Sequence, residues 1–288
     1  KSFGKRTVVD GLDLAIPRGG VYGFLGPNGS GKSTTMKMLL GLLHPSAGQV
    51  FLLGEDPWGE ARARLMPRIG SMIEHPPGYG HLTGAENMRL LARLLNLETT
   101  RIDRALELVR LTDHRDRLQR TYSLGMKQRL GMAMALAREP ELLILDEPTN
   151  GLDPAGIEEI RELMIHLASG GVTVMISSHL LDEIDRMADI LGVLSQGRLV
   201  FQGSRKELFE RSIPDLLVVT PQADAAANLV RGCRLERNGI RVQGCGQEDA
   251  ARLIVRLVQE GIPIHEVRRL QQSLEEVFMD LTGGTEAL

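Results

Sequence analysis

Eight residues constrain this fold more than any others: Gly26-Pro27-Asn28-Gly29-Ser30-Gly31-Lys32-Ser33, a run of the form GxxxxGK[ST]. Ahead of it, Val21-Tyr22-Gly23-Phe24-Leu25 reads as a buried strand. Behind it, Met36, Leu39, Leu40 and Leu43 recur at helical spacing, and His44-Pro45 closes the predicted helix. A strand that enters a glycine-rich turn and leaves as a helix is half of a parallel α/β unit. The glycines let backbone N–H groups turn inward, and the helix points its positive end at whatever they surround. Lys32 adds a point charge, and Ser33, followed by Thr34, adds a hydroxyl. The turn is therefore suited to the outer phosphates of a nucleotide, with Ser33 on a divalent cation.

A second run complements it. Leu142-Leu143-Ile144-Leu145 is strand-sized and ends in Asp146-Glu147. A buried strand delivers both carboxylates to the C-terminal edge of a sheet, where ligands of α/β folds sit. Asp146 is suited to hold Mg²⁺ through water, and Glu147 to polarise an attacking water as general base. Further strands are expected at 50–54, 141–145 and 172–177, with a helix over 155–168. Residues from about 82 to 139 pattern as mostly helical, with Leu90, Leu91, Leu94 and Leu95 in one apolar stripe. Strand, helix, strand in this order implies parallel pairing through right-handed crossovers.

The pattern changes after about Ser212, where Ile213-Pro214 interrupts it. Expected beyond are a strand at 216–220, a helix at 225–231 and a strand pair over 234–242 turning at Asn238-Gly239. A helix at 249–259, a strand at 264–267 and a helix at 273–281 ending near Gly283-Gly284 complete a small α+β unit. The expected domains are thus 1–212, with a helical subdomain over about 76–140, and 213–288. The tail reads either as a packing or dimer-stabilising appendage or as a regulatory domain.

The formal net charge of −3 argues against nucleic acid as a partner, because phosphate neutralisation needs a basic excess. No stretch approaches the roughly 20 apolar residues that span a bilayer. Cys233 and Cys245 lie in no CxxC motif, so they predict neither a metal site nor a disulfide framework and fit a reducing cytosol. The chain opens on Lys1 rather than Met, so residues ahead of it are expected.

Taken together, these motifs resemble the nucleotide-binding subunit of an ABC (ATP-binding cassette) transporter, over nearly the whole chain. Tyr122-Ser123-Leu124-Gly125-Met126-Lys127-Gln128 stands where that family has its Leu-Ser-Gly-Gly-Gln signature; Ser123 and Gly125 are kept, Leu124 and Met126 depart. Thr149-Asn150-Gly151-Leu152-Asp153 resembles the D-loop, His179 the γ-phosphate-sensing switch histidine, and Phe3 the aromatic that stacks on adenine. Glu74 stands where the family has Gln. A carboxylate there can ligate Mg²⁺ or water but cannot donate an amide hydrogen bond. Glu74, the Ser-Leu-Gly-Met-Lys signature, Leu82–Asn87 and the ending Leu270–Phe278 resemble the bacitracin and lantibiotic exporter and immunity branch.

The resemblance implies a P-loop α/β fold with a mixed sheet and helical subdomain, an ATPase with ATP and Mg²⁺ as cofactors, and a head-to-tail dimer. Ser123 and Gly125 of one copy would meet nucleotide held by Lys32, Ser33 and Asp146 of the other, with Asp153 nearby. It further implies a transmembrane permease partner at the cytoplasmic membrane face, contacted near Glu74–Tyr79, with His75-Pro76-Pro77-Gly78 and Gly80 as a hinge. Alternatives are an ABC ATPase for a polysaccharide, lipid or ion, and a non-transport ABC protein. A GTPase would need an Asn-Lys-x-Asp guanine reader, which this chain lacks.

Overall fold

The computed structural model describes residues 1–178 and 181–282. They form two compact units, Lys1–Ser204 and a second that starts at Arg205. In chain order the first holds β1 (Ser2–Phe3), β2 (Arg6–Thr7), β3 (Gly20–Leu25), α1 (Lys32–Leu39), α2 (Arg62–Leu65) and β4 (Ile69–Met72). Then come α3 (Gly84–Leu95), α4 (Thr99–Leu108), α5 (Leu124–Leu136), β5 (Leu142–Asp146) and α6 (Pro154–Ser169). β6 (Thr173–Ser178), α7 (Leu181–Asp185), β7 (Ile190–Ser195) and β8 (Arg198–Ser204) complete it.

Six strands make one sheet in the order β4-β5-β6-β3-β7-β8; the first five run parallel and β8 pairs antiparallel with β7. β3, β5 and β6 are buried on both faces, which is why their middles are apolar and their polar residues fall at the ends. Register brings Leu25 level with Ser178 and Asp146 level with Ser177, so three strands end together at one edge. Tyr22, Phe24, Met36, Leu65, Ile144, Met175 and Leu194 form the core on one face. Each such side chain contributes about 1.5–3 kcal/mol on burial.

Several expectations are corrected. α1 stops at Leu39, ahead of His44-Pro45. Gly41 takes φ 65°, its N–H bonds the Met38 carbonyl, and the Leu42 N–H reaches back to Lys37, the glycine-stopped helix end that sequence periodicity overlooks. Residues 50–54 are not a strand among the described elements: Leu53 and Gly54 both take positive φ, turning the chain so that only Leu52 and Glu55 bridge. Nor do Leu90, Leu91, Leu94 and Leu95 form the buried stripe of α3. That face is Ala85, Met88 and Ala92, while Leu94 is 74% exposed.

α3 starts with a capping box, Thr83 and Glu86 exchanging side-chain and backbone hydrogen bonds. The stretch from Tyr79 to Thr83 is held beside it. The buried Asn87 amide accepts from the Tyr79 N–H at 2.7 Å and donates to the carbonyls of Tyr79 and Thr83. The Gln119 N–H bonds the Leu82 carbonyl at 2.8 Å.

The second unit holds α8 (Arg205–Arg211), β9 (Asp215–Val219), α9 (Ala223–Leu229), β10 (Cys233–Glu236), β11 (Gly239–Val242), α10 (Gln247–Gln259), β12 (Glu266–Leu270) and α11 (Leu274–Thr282). Its sheet runs β10-β11-β9-β12, all antiparallel, so β9 to β12 trace a split βαβ pattern. Leu216, Val218, Ala226, Ile240, Cys245 and Leu257 make its core, and both cysteines are free thiols. The hairpin turns at Arg237-Asn238, one residue earlier than expected, because Glu236 pairs with Gly239. Gly239 is a strand residue whose Cβ would lie 2.0 Å from the Val218 carbonyl oxygen. The buried Asp215 carboxylate accepts from Arg241 Nε at 2.7 Å and from the Gly244 N–H at 2.9 Å. Gly283-Gly284 lies outside the described residues. Among the described residues no helix is long and apolar enough to cross a membrane.

Replacing Asn87 with Ala strips partners from buried backbone groups, each worth about 1–3 kcal/mol when orphaned. The Asn87→Ala chain should lose about 2 kcal/mol in its first urea transition. An unchanged midpoint would show that the amide fixes nothing.

Candidate functional site

Lys32 anchors the site. It begins α1, is only 6% exposed, and its ammonium donates to the carbonyls of Gly26 at 2.6 Å and Pro27 at 3.3 Å. The ammonium therefore curls into the mouth of its own loop. Burial pushes its pKa down, while the charges of Glu147 and Asp146 pull it back toward the protonated form. The loop is sterically committed to its shape: a Cβ on Gly26 would sit 2.4 Å from the Leu194 carbonyl oxygen and 2.5 Å from Ser30 Oγ. Gly29 and Gly31 take φ 77° and 109°. Ser30 Oγ is buried with no hydrogen-bond partner among the described residues, an acceptor and donor waiting inside the loop. Ser33 and Thr34 follow Lys32 on the first turn of α1 and are half-buried.

Asp146 closes β5 and Glu147 follows it at φ 47°, a left-handed conformation rare for glutamate. Ser177 on β6 holds both. Its hydroxyl donates to Asp146 Oδ1 at 2.5 Å, and the Glu147 N–H donates to Ser177 Oγ at 3.0 Å and to its carbonyl at 3.2 Å. Sequence reasoning passed over Ser177. The usable signal was a fully buried hydroxyl ending an apolar strand, a position where a polar side chain must find partners. Thr149, two residues after Glu147, was likewise taken only as part of a motif. It is buried and donates to Glu183 Oε2 at 2.6 Å.

The other expected residues lie further out. Ser123 caps α5, its hydroxyl accepting from the Met126 N–H at 3.2 Å. Asp153 caps α6 through the Gly156 N–H. These two loops touch: a Cβ on Gly151 would lie 2.2 Å from Leu124 Cδ2, and one on Gly125 would lie 3.0 Å from Leu152 Cδ2. Phe3 sits on the β1–β2 hairpin, 50% exposed, with the Lys1 ammonium 5.1 Å from its ring centre. Glu74 takes φ 65° and pairs with Lys37 on α1. The hydrogen bond from the Lys37 ammonium holds its carboxyl below the usual carboxylate range. His179 lies outside the described residues.

The donor set suits a nucleotide phosphate chain. A glycine cradle, an orphaned hydroxyl, a buried ammonium and the N-terminus of α1 converge at the mouth of the loop. Comparison with known proteins agrees. The profile described as "ABC transporter" matches residues 9–150. A bacitracin transport ATP-binding protein of Enterococcus faecalis is 39% identical over 99% of this chain and 94% of its own. A lantibiotic transport ATP-binding protein of Streptococcus pyogenes is 43% identical over 94% of its own length but 74% of this chain. Among solved structures, CbiO1 of Clostridium perfringens, described as part of the ABC transporter complex CbiONQ, matches at TM-score 0.64 and 31% identity. That match covers 71% of this chain and 84% of CbiO1.

Ser177→Ala removes the hydroxyl shared by Asp146 and Glu147. Phosphate release from ATP should fall about 10–100-fold, the usual cost of losing a group that orients ligands from behind. Turnover within twofold of the parent would reduce Ser177 to a packing residue.

Proposed function

The chain belongs to the ABC transporter family as one of its ATP-hydrolysing subunits, and from that premise we propose that it drives export of peptide antibiotics or similar amphiphilic drugs. What supports this cargo class is likeness to a bacitracin transport protein over essentially the full chain. The lantibiotic relative is matched almost completely by three quarters of this chain. The second unit is thus proposed as a feature shared with the bacitracin type.

Hydrolysis is assigned to the residues at the sheet edge. Lys32 exchanges its two carbonyl acceptors for phosphate oxygens when ATP enters. The N–H groups of the loop and Ser30 Oγ take the remaining oxygens. Ser33 and Asp146 are the residues that would hold Mg²⁺; a carboxylate and a hydroxyl are the hard oxygen donors such an ion takes. Bound there, the ion would offset negative charge on the phosphates. Glu74, one of whose carboxylate oxygens pairs with Lys37, is proposed as a further ligand. Glu147 orients the attacking water and takes its proton, with its backbone fixed by Ser177. Phe3 offers an open ring face to adenine, and His179 is proposed to sense the γ-phosphate.

The catalytic unit is proposed to be a dimer. Ser123 and Gly125 of a second copy or homologous subunit bring the N-terminus of α5 to the γ-phosphate, so charge is stabilised in trans. The cargo path belongs to a membrane permease, which holds this subunit at the cytoplasmic face through the exposed surface around Tyr79.

Glu147→Gln should keep ATP binding and lose turnover by at least about 100-fold. Normal hydrolysis by that variant would remove Glu147 as the base. Co-expression of the chain with its permease should confer resistance to a bacitracin-like peptide and fail to do so with Glu147→Gln. Equal sensitivity of both strains would point to another cargo.

A further inference from the structure

The loop that carries Glu147 is held at two places. One is the bond of its own N–H to Ser177 on β6. The other lies two residues on, where Thr149 Oγ1 donates to Glu183 Oε2 at 2.6 Å. Between them the chain turns tightly, the Asn150 N–H reaching the Glu147 carbonyl at 3.1 Å and the Leu152 N–H the Thr149 carbonyl at 3.1 Å. A shift at Thr149 is therefore transmitted to Glu147 through one short turn. Glu183 itself stands on α7, the helix that follows the switch position 179–180.

Packing alone does not account for a carboxylate at this point. Glu183 Oε1 is buried and has no hydrogen-bond partner among the described residues. Beside it is a cavity of about 230 Å³ that is also lined by Pro154, Arg161 and Met187. Arg161 Nε is buried without a partner too, because its guanidinium turns to Glu158 instead. A half-satisfied buried carboxylate costs stability that an apolar residue of the same volume would not. Among the described residues, its bond from Thr149 goes to the loop after Glu147.

We propose that Glu183 is a positioning residue for ATP hydrolysis: through Thr149 it fixes the turn that aims Glu147, and ties that turn to the helix following position 179. This rests on the reading of Glu147 as general base. The chemistry asked of Glu183 is that of a hydrogen-bond acceptor, so its charge is dispensable and its oxygen is not.

The test is steady-state phosphate release against ATP concentration for the full chain, with melting by circular dichroism to check folding. Glu183→Ala should lower kcat about 10–100-fold with KM for ATP within about twofold, since the phosphate loop is untouched. Glu183→Gln keeps an acceptor oxygen and should recover kcat to within about threefold of the parent. Thr149→Val should match Glu183→Ala, Thr149→Ser should stay near the parent, and the Thr149→Val/Glu183→Ala double variant should be no slower than either single one. Folded Glu183→Ala with parental kcat, a rise in KM alone, or a glutamine variant as slow as the alanine one would each overturn the proposal. If Glu183→Ala does not fold, the Thr149→Val and Thr149→Ser pair decides by the same criterion. Glu147→Gln run in parallel separates the two ideas. Normal turnover there defeats the general-base reading, whereas an inactive Glu147→Gln with a parental Glu183→Ala defeats only the positioning role.

Discussion

A lysine ammonium buried at the edge of a sheet has to be given acceptors and countercharge, and much of the first unit is arranged around that need at Lys32. Its own loop supplies two carbonyls, and the neighbouring strand ends supply Asp146 and Glu147. Those carboxylates arrive at the same height because β3, β5 and β6 are parallel and in a register that ends them together. A one-residue slip would turn the side chains of a strand to its other face, so the site depends on strand register as much as on residue identity. Ser177 joins the two residues, its hydroxyl donating to the Asp146 carboxylate while it accepts from the Glu147 N–H.

Around that centre single side-chain hydrogen bonds fasten the turns and helix ends. Asn87 fastens the stretch from Tyr79 to Thr83, Thr149 fastens the turn beyond Glu147, and Ser123 and Asp153 cap the helices whose ends would meet nucleotide. Many salt bridges join exposed residues, where pairs contribute little. The second unit is built differently. One buried carboxylate, Asp215, collects Arg241 and the Gly244 N–H, and Arg241 in turn holds Glu276 on α11.

Strands with long apolar runs, such as Leu142–Leu145 and Val174–Ile176, were legible because burial on both faces favours that composition. The α1 terminus was misjudged because Leu40 and Leu43 continue the apolar pattern past a glycine that stops the helix. α3 misled in another way: four leucines suggested its buried face, while the residues buried there are Ala85, Met88 and Ala92. At Asn238-Gly239 the glycine was read as a turn residue, yet the Val218 carbonyl needs the space a side chain would fill. At Gly239 the competing influence was a neighbour distant in sequence, whereas at α1 it was a local glycine.

The sequence by itself determined the phosphate loop, the paired carboxylates, the order of strand and helix and the family, because each depends on local residue types at a set spacing. Tertiary structure alone decided which hydroxyl serves Asp146 and Glu147, which carboxylate takes Thr149, and that Glu74 is paired with Lys37. Those partners lie 31, 34 and 37 residues apart for Asp146–Ser177, Thr149–Glu183 and Lys37–Glu74. A hydrogen bond is sensitive to tenths of an ångström, and only the packed sheet and its helices set distances that finely.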